Sequence, residues 1–238
     1  MSRTWVIPDS HGCLFTFRTL VEDLIGLKRD DRLILIGDYI DRGPDSKRLI
    51  DYIIKLSNDG FNVTAIRGNH EDFLVQVWEA ANRPWSLMNM VNQTKLRNNW
   101  MSSGGDTTLR SFGVNDMRLF PVSYIKWIKS LPLYVELDNF LIVHAGFNFA
   151  EDDIFADEQA MMWIRDYSID PERINYRRII HGHVPVPLDF IYANLKSDIY
   201  HFIDLDNGVY MTDRPGYGNL LALELSSLKL LVQPNLDM

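Results

Sequence analysis

Five of the six histidines lie in short stretches that each follow an apolar run. The stretches are Asp9-Ser10-His11-Gly12, Gly37-Asp38-Tyr39-Ile40-Asp41-Arg42-Gly43, Arg67-Gly68-Asn69-His70-Glu71, His144-Ala145-Gly146 and His181-Gly182-His183. His201 is the exception. Carboxylate, imidazole and amide oxygen together suit Mn, Fe or Zn in a water-accessible site. With one cysteine, Cys13, a closed thiolate zinc site is excluded. Any single stretch is weak evidence, because Asp and Asn are common in turns and at helix N-caps. Asp9 and Asn69 could each simply cap the helix that follows. The repetition after five strand-like runs is what points to one shared metal site.

The elements that must position these residues can be read from periodicity. Trp5-Val6-Ile7, Arg32 to Ile36 and Asn62 to Ile66 read as strands. Phe17, Leu20, Val21, Leu24 and Leu27 recur at helical spacing, as do the apolar residues of Ser46 to Leu56 and of Glu71 to Ala81. This alternation predicts a mainly parallel sheet with covering helices. In such sheets ligands gather at the carboxyl ends of the strands, where the five stretches fall. Residues 82–130, with Trp85, Trp100 and Trp127, carry little strand character and read as a helical insertion; Gly104-Gly105 and Gly113 mark turns in it. Its Trp residues are expected in the core. The second half returns to strands at Leu133–Leu137, Phe140–Val143, Arg178–His181, Phe190–Ala193, His201–Leu205, Gly208–Met211 and Leu220–Leu225, with hairpin turns at Asp138-Asn139 and Asn207-Gly208. The expected fold is α/β (α+β): two sheets packed as a β-sandwich flanked by helices, within one domain spanning 1–238.

Composition sets limits on function. The net charge of −8 argues against broad nucleic-acid binding, which depends on neutralising phosphates. No apolar run approaches the ~20 residues that span a bilayer, and the N-terminal residues lack a secretory pattern. One cysteine forbids an intrachain disulfide, consistent with a reducing, cytoplasmic setting. Nothing in the pattern specifies an oligomeric state.

Taken together, DSHG, GDYIDRG, GNHE, HAG and GHVP resemble the phosphoprotein phosphatase family of the calcineurin-like metallophosphoesterases, in the compact bacterial and phage form. The motifs run from Asp9 to Pro185, and the later IDLDNG and GNLLALEL segments extend the resemblance. The family implies two divalent cations, Mn2+ ahead of Fe or Zn. By motif, Asp9 and His11 would bind the first cation, Asp38 would bridge, and Asn69, His144 and His183 would bind the second. His70 would be the general acid with Asp41 orienting it, and Arg42 and Arg165 would hold phosphate. His181 is read as a strand-end residue. Pro8 replaces the usual glycine before Asp9, and Val184 a usual Thr or Gln; neither change removes a ligand.

The resemblance implies direct attack on phosphorus by a hydroxide bridging the cations. The leading substrate is a Ser/Thr phosphoprotein. Symmetrical dinucleoside tetraphosphates or another phosphorylated small molecule are the alternative. A catalytically inactive metal-binding protein is a third reading. A nuclease is disfavoured by the acidity and by the lack of a second His after Gly182-His183.

Overall fold

Period-two alternation in the strands decides the architecture. In β1 (Thr4–Ile7), Trp5 and Ile7 point to one core and Val6 to another; in β2 (Arg32–Leu35), Leu33 and Leu35 part from Ile34 in the same way. In β5 (Phe140–Val143) and β6 (Arg178–His181), Ile142 and Ile180 face the same core as Val6 and Ile34. Leu141, Val143 and Ile179 face a third core. Strands buried on both faces must lie between layers. The computed structural model, which describes residues 2–84, 87–197 and 199–238, shows those layers: two stacked sheets with helices outside.

The first sheet has the order β3 (Asn62–Ala65), β2, β1, β8 (Asn219–Glu224), β9 (Lys229–Pro234). Its first three strands are parallel and the last two run antiparallel. The second has the order β4 (Tyr134–Glu136), β5, β6, β7 (Phe202–Asp204), with an antiparallel first pair and parallel remainder. Both sheets are therefore mixed. The Asp138-Asn139 hairpin joins β4 to β5 as expected.

Helices α1 (Leu14–Thr19), α2 (Ser46–Asn58) and α3 (Asn69–Ala81) cover the first sheet. A π-helical continuation, Leu20–Ile25, extends α1 and ends at Gly26 in the left-handed conformation. In α2, Leu49, Ile50, Ile53 and Leu56 form the buried stripe, each side chain worth ~1.5–3 kcal/mol on full burial. The segment between α3 and β4 is helical: α4 (Leu87–Trp100), a π-helical turn Met101–Gly105, α5 (Asp106–Phe112) and α6 (Val122–Ser130). Trp100 and Trp127 pack in the helix-side core; Trp85 lies outside the described residues. Helix α7 (Glu158–Trp163) lies beyond β5.

Three expectations change. Phe190–Ala193 is not a strand but part of α8 (Leu188–Leu195), which buries Ile191 and Leu195 against the sandwich. A four-residue apolar window cannot reveal the 188, 191, 195 helical spacing. Asn207-Gly208 does not make a hairpin, and Gly208–Met211 is a turn; Asp206 Oδ1 accepts the Gly208 N–H, and Asn207 Nδ2 donates to the carbonyls of Val186 and Gly216. Strand β9, which the sequence pattern does not predict, pairs with β8.

Candidate metal centre

The five stretches converge where β1, β2, β3, β5 and β6 end. Backbone bonds hold the first two: Ser10 N and His11 N both donate to Asp38 O, at 3.1 and 2.8 Å, and Gly12 N donates to Tyr39 O. The two sheets meet here as well, because His183 N donates to the Asp9 carboxylate at 3.1 Å and His144 Nδ1 reaches Ile36 O. Gly68 is needed for close approach, since a Cβ there would fall on Asp38 Oδ1. Of eight non-glycine residues with left-handed φ among those described, five are His11, Asp38, Asp41, Arg42 and His183. Such conformations each cost on the order of 1–3 kcal/mol and persist only where surrounding contacts enforce them.

Two groups of side chains could hold cations: Asp9, Asp38 and His144, and His11, Asp38 and His70. Asp38 belongs to both. Its Oδ1 lies 3.5 Å from His144 Nε2 and its Oδ2 lies 3.7 Å from His11 Nε2. Asn69 Oδ1 lies 2.9 Å from both His144 Nε2 and His183 Nδ1, so three of the expected ligands of the second cation face one point. His11 Nδ1 donates to Ile40 O at 2.9 Å and His144 Nδ1 to Ile36 O at 2.8 Å. These bonds fix the tautomer that leaves Nε2 with a lone pair, the usual backing of a ligating imidazole. Arg42 Nη1, which donates to His11 Nε2 at 2.8 Å, agrees with that lone pair.

The electrostatics fit divalent cations. Burial, then Arg42 and His70, hold His11 well below the usual imidazole range. Burial also lowers His144, and pushes His183 down to about 3. Burial raises Asp38, but His144, His70 and His11 outweigh it and keep the carboxyl well below its ordinary value. Asp9 is pushed well up by burial and then by the carboxylates of Asp206 and Asp38. Neutral imidazoles and crowded buried carboxylates are the donor set that a doubly charged cation relieves.

His70 stands apart. Its Nδ1 lies 2.7 Å from Asp41 Oδ2, and its Nε2 lies 3.8 Å from Asp38 Oδ2. Burial disfavours its charged form, but Asp38 and Asp41 prevail and raise it above the ordinary value. His181, half-buried and lowered by desolvation to about 4, packs against Phe202 and belongs to neither cation group, as expected of a strand-end residue. Asp9 caps no helix; the N-cap of α1 is Cys13. Arg165 lies beyond α7 at the rim of a cavity of about 800 Å³ that also takes in His183.

Some residues around the centre have roles that the sequence does not reveal. Tyr210 presents its ring to Arg42, with Cζ 4.1 Å from the centroid, and sits edge-on to His11. Asp206, lifted to about 7 chiefly by burial, is the strongest carboxylate influence on Asp9. Both come from the loop that the Asn-Gly pair marks as a hairpin. Glu71 accepts N–H bonds from Gly68, Asp38, Tyr39 and Ile40, tying two of the stretches together. It lies inside one of the motifs, yet its type and spacing give no cue to this bracing role.

The model of the calcineurin-like phosphoesterase family matches residues 2–208. The chain belongs to that family. Among curated relatives, the symmetrical bis(5'-nucleosyl)-tetraphosphatase of Nitrosomonas europaea is 31% identical over 144 residues, covering 60% of this chain and 44% of that protein. Serine/threonine-protein phosphatase 2 of Escherichia coli is 28% identical over 152 residues, covering 62% of this chain and 60% of that protein. The chain thus spans less than two thirds of either relative. Among solved structures, a serine/threonine phosphatase from Saccharomyces cerevisiae, described as similar to human phosphatase PP5, superposes with a TM-score of 0.64 at 15% identity. That match covers all of this chain and 81% of the other. At that identity the likeness is one of fold: mixed α/β with two sheets and outer helices.

Proposed function

We propose that this phosphoesterase hydrolyses phosphomonoesters with two divalent cations, Mn2+ ahead of Fe or Zn, and that its substrate is a Ser/Thr phosphoprotein. The observation that carries the hydrolytic reading is Asp38, whose two oxygens face the two ligand groups, beside the buried His70–Asp41 pair. By the motif assignment Asp9, His11 and Asp38 would hold one cation, and Asp38, Asn69, His144 and His183 the other, although among the described residues Asp9 groups with His144 and His70 with His11. Bound there, the cations lower the pKa of water and offset phosphate charge.

The side chains divide the remaining work. Arg42, braced by Tyr210, and Arg165 at the rim would take the non-bridging phosphate oxygens through their planar guanidinium forks. Asp41 holds His70 Nδ1, which leaves Nε2 to give its proton to the leaving oxygen. A water that has given one proton to solvent adds to phosphorus as hydroxide, the bond to the alcohol breaks, the His70 proton neutralises the departing alkoxide, and His70 is reprotonated from solvent. His70 could instead be read as a ligand of the first cation. Its Nδ1 contact with the Asp41 carboxylate, against the backbone-carbonyl contacts of His11 and His144, supports proton donation.

His70→Asn should slow alkyl phosphates by about 10²–10⁴-fold, the usual scale of general-acid help, and p-nitrophenyl phosphate far less, because nitrophenolate leaves without a proton. Equal slowing of both esters would remove His70 from the acid role.

One observation favours the second substrate reading. The cavity beside His183 and Arg165 is walled by Tyr167, Phe190, Tyr200 and Phe202, rings suited to a planar base. Assays with Mn2+ on a phosphothreonine peptide and on diadenosine tetraphosphate decide between them. A higher kcat/KM for the dinucleotide, lost in Phe190→Ala, would replace the phosphoprotein assignment.

A further inference from the structure

The segment between α3 and β4 reaches the catalytic turn through one indole, one hydroxyl and two glycines. Trp100 is fully buried, and its Nε1 donates to Asp41 Oδ2 at 2.9 Å. That oxygen is also the partner of His70 Nδ1. Thr108 Oγ1, on α5, donates to Asp41 Oδ1 at 2.5 Å and accepts from Asp41 N at 2.9 Å. Asp41 and Arg42 both lie in the left-handed region, with φ of 69° and 68°. The turn therefore needs outside support, and Gly104 O supplies some by accepting from Arg42 N at 3.3 Å. Gly104 can lie against Arg42 because it has no side chain; a Cβ there would stand only 2.6 Å from Arg42 N. A Cβ at Gly105 would enter the Trp100 ring. The π-helical turn Met101–Gly105 is thus shaped to fit over both.

Among the described residues the buried indole nitrogens of Trp5 and Trp78 have no protein acceptor. Trp100 instead directs its donor to the carboxylate that holds His70.

We infer that Trp100 is a positioning residue for proton transfer: its indole N–H, with the Thr108 hydroxyl, locks the Asp41 carboxylate in the orientation that aims His70 Nε2 at the leaving oxygen. Without these two donors the carboxylate can rotate, and His70 rotates with it. The inference rests on His70 being the proton donor.

Trp100→Phe keeps the ring and removes the donor. On a phosphothreonine peptide, kcat should fall about tenfold, part of the 10²–10⁴-fold available to a general acid, with KM unchanged. On p-nitrophenyl phosphate it should fall less than about twofold. In a His70→Asn background the same substitution should add nothing, because the two residues act as one unit. Thr108→Val should imitate Trp100→Phe and Thr108→Ser should not. A readout independent of turnover is the low-field proton resonance of the His70–Asp41 hydrogen bond in the zinc-loaded protein. Absence of the signal in His70→Asn assigns it, and Trp100→Phe should shift or broaden it. Equal slowing of both esters, or additive loss on His70→Asn, would assign Trp100 to packing and overturn the inference. If Trp100→Phe does not fold, the Thr108→Val and Thr108→Ser pair decides the question by the same ester comparison. Failure of His70→Asn to discriminate between the esters would overturn the acid reading itself, which is a separate outcome.

Discussion

Residue types that look alike in sequence are separated here by their second contact. His11 and His144 give Nδ1 to backbone carbonyls and His70 gives Nδ1 to a carboxylate, so burial neutralises the first two while Asp41 and Asp38 keep the third chargeable. Arg42 is set by the same logic, through the Tyr210 ring. A cation–π contact in such a half-buried place is worth ~1 kcal/mol. Tyr210→Leu should therefore raise KM for a phosphoester about fivefold, while Tyr210→Phe stays within about twofold. Matched KM values for the two variants would show that the ring does not hold Arg42. Cys13 follows from burial as well. The burial of its thiol, then Asp237, push it up to about 12. Thiolate is the reactive form, so a disulfide-exchange reagent at pH 8 should label Cys13 only on unfolding, and fast labelling of the folded protein would contradict that placement.

At the scale of elements, remote residues close ends that local sequence leaves open. The first-turn N–H groups of Phe15 and Thr16 in α1 donate to Asp237, each at 2.9 Å. A lost capping acceptor costs ~1 kcal/mol, so Asp237→Ala should lower Tm by about 2–4 °C for a chain of this length; an unchanged melt would deny the cap. Asp31 ties the start of β1 to the approach to β2. Burial alone would raise it, yet Arg3 and the N–H donors of Arg3 and Lys28 hold it at about 2. A carboxyl whose folded pKa lies below its unfolded value of ~3.9 stabilises above that value. Its contribution, ~1–2 kcal/mol after allowance for the half-exposed Arg3, should vanish between about pH 4 and pH 2. Asp31→Asn should be less stable than wild type at pH 7, and the gap should close near pH 2. A gap independent of pH would locate the cost elsewhere. These closures show where legibility ends. Strands marked by short apolar runs, the long helices and the five candidate stretches are readable because their signal is local. Trp100, Thr108 and Tyr210 are not, because only the fold brings them to Asp41 and Arg42. Helix α8 and strand β9 stay hidden because a short apolar window on a sandwich edge has no decisive period.

For the molecule as a whole, the proposed metal centre is the seam between the two sheets. Asp9, His11, Asp38 and Asn69 follow strands of the first sheet, and His144 and His183 follow strands of the second. Among the described residues the contacts that cross between the sheets here include His183 N to Asp9, His144 Nδ1 to Ile36 O, and Asn69 Oδ1 against His144 Nε2 and His183 Nδ1, where a cation would sit. Crowded carboxylates at such a seam repel until a cation joins them. Cation binding should therefore act as a clamp on the sandwich as well as on substrate. With free cation at a thousand times Kd, binding adds ~4 kcal/mol, which raises Tm by about 8–16 °C for a chain of this length. Chelation should remove that increment, and calorimetry with and without Mn2+ measures it. Gly182→Ala separates the clamp from general stability, because its Cβ would land on Asp9 Oδ1 and disturb one side of the seam at the ligand itself. The variant should keep most of the metal-free Tm and lose most of the increment. A full increment in Gly182→Ala, or none in the wild type, would mean that the cations do not join the sheets.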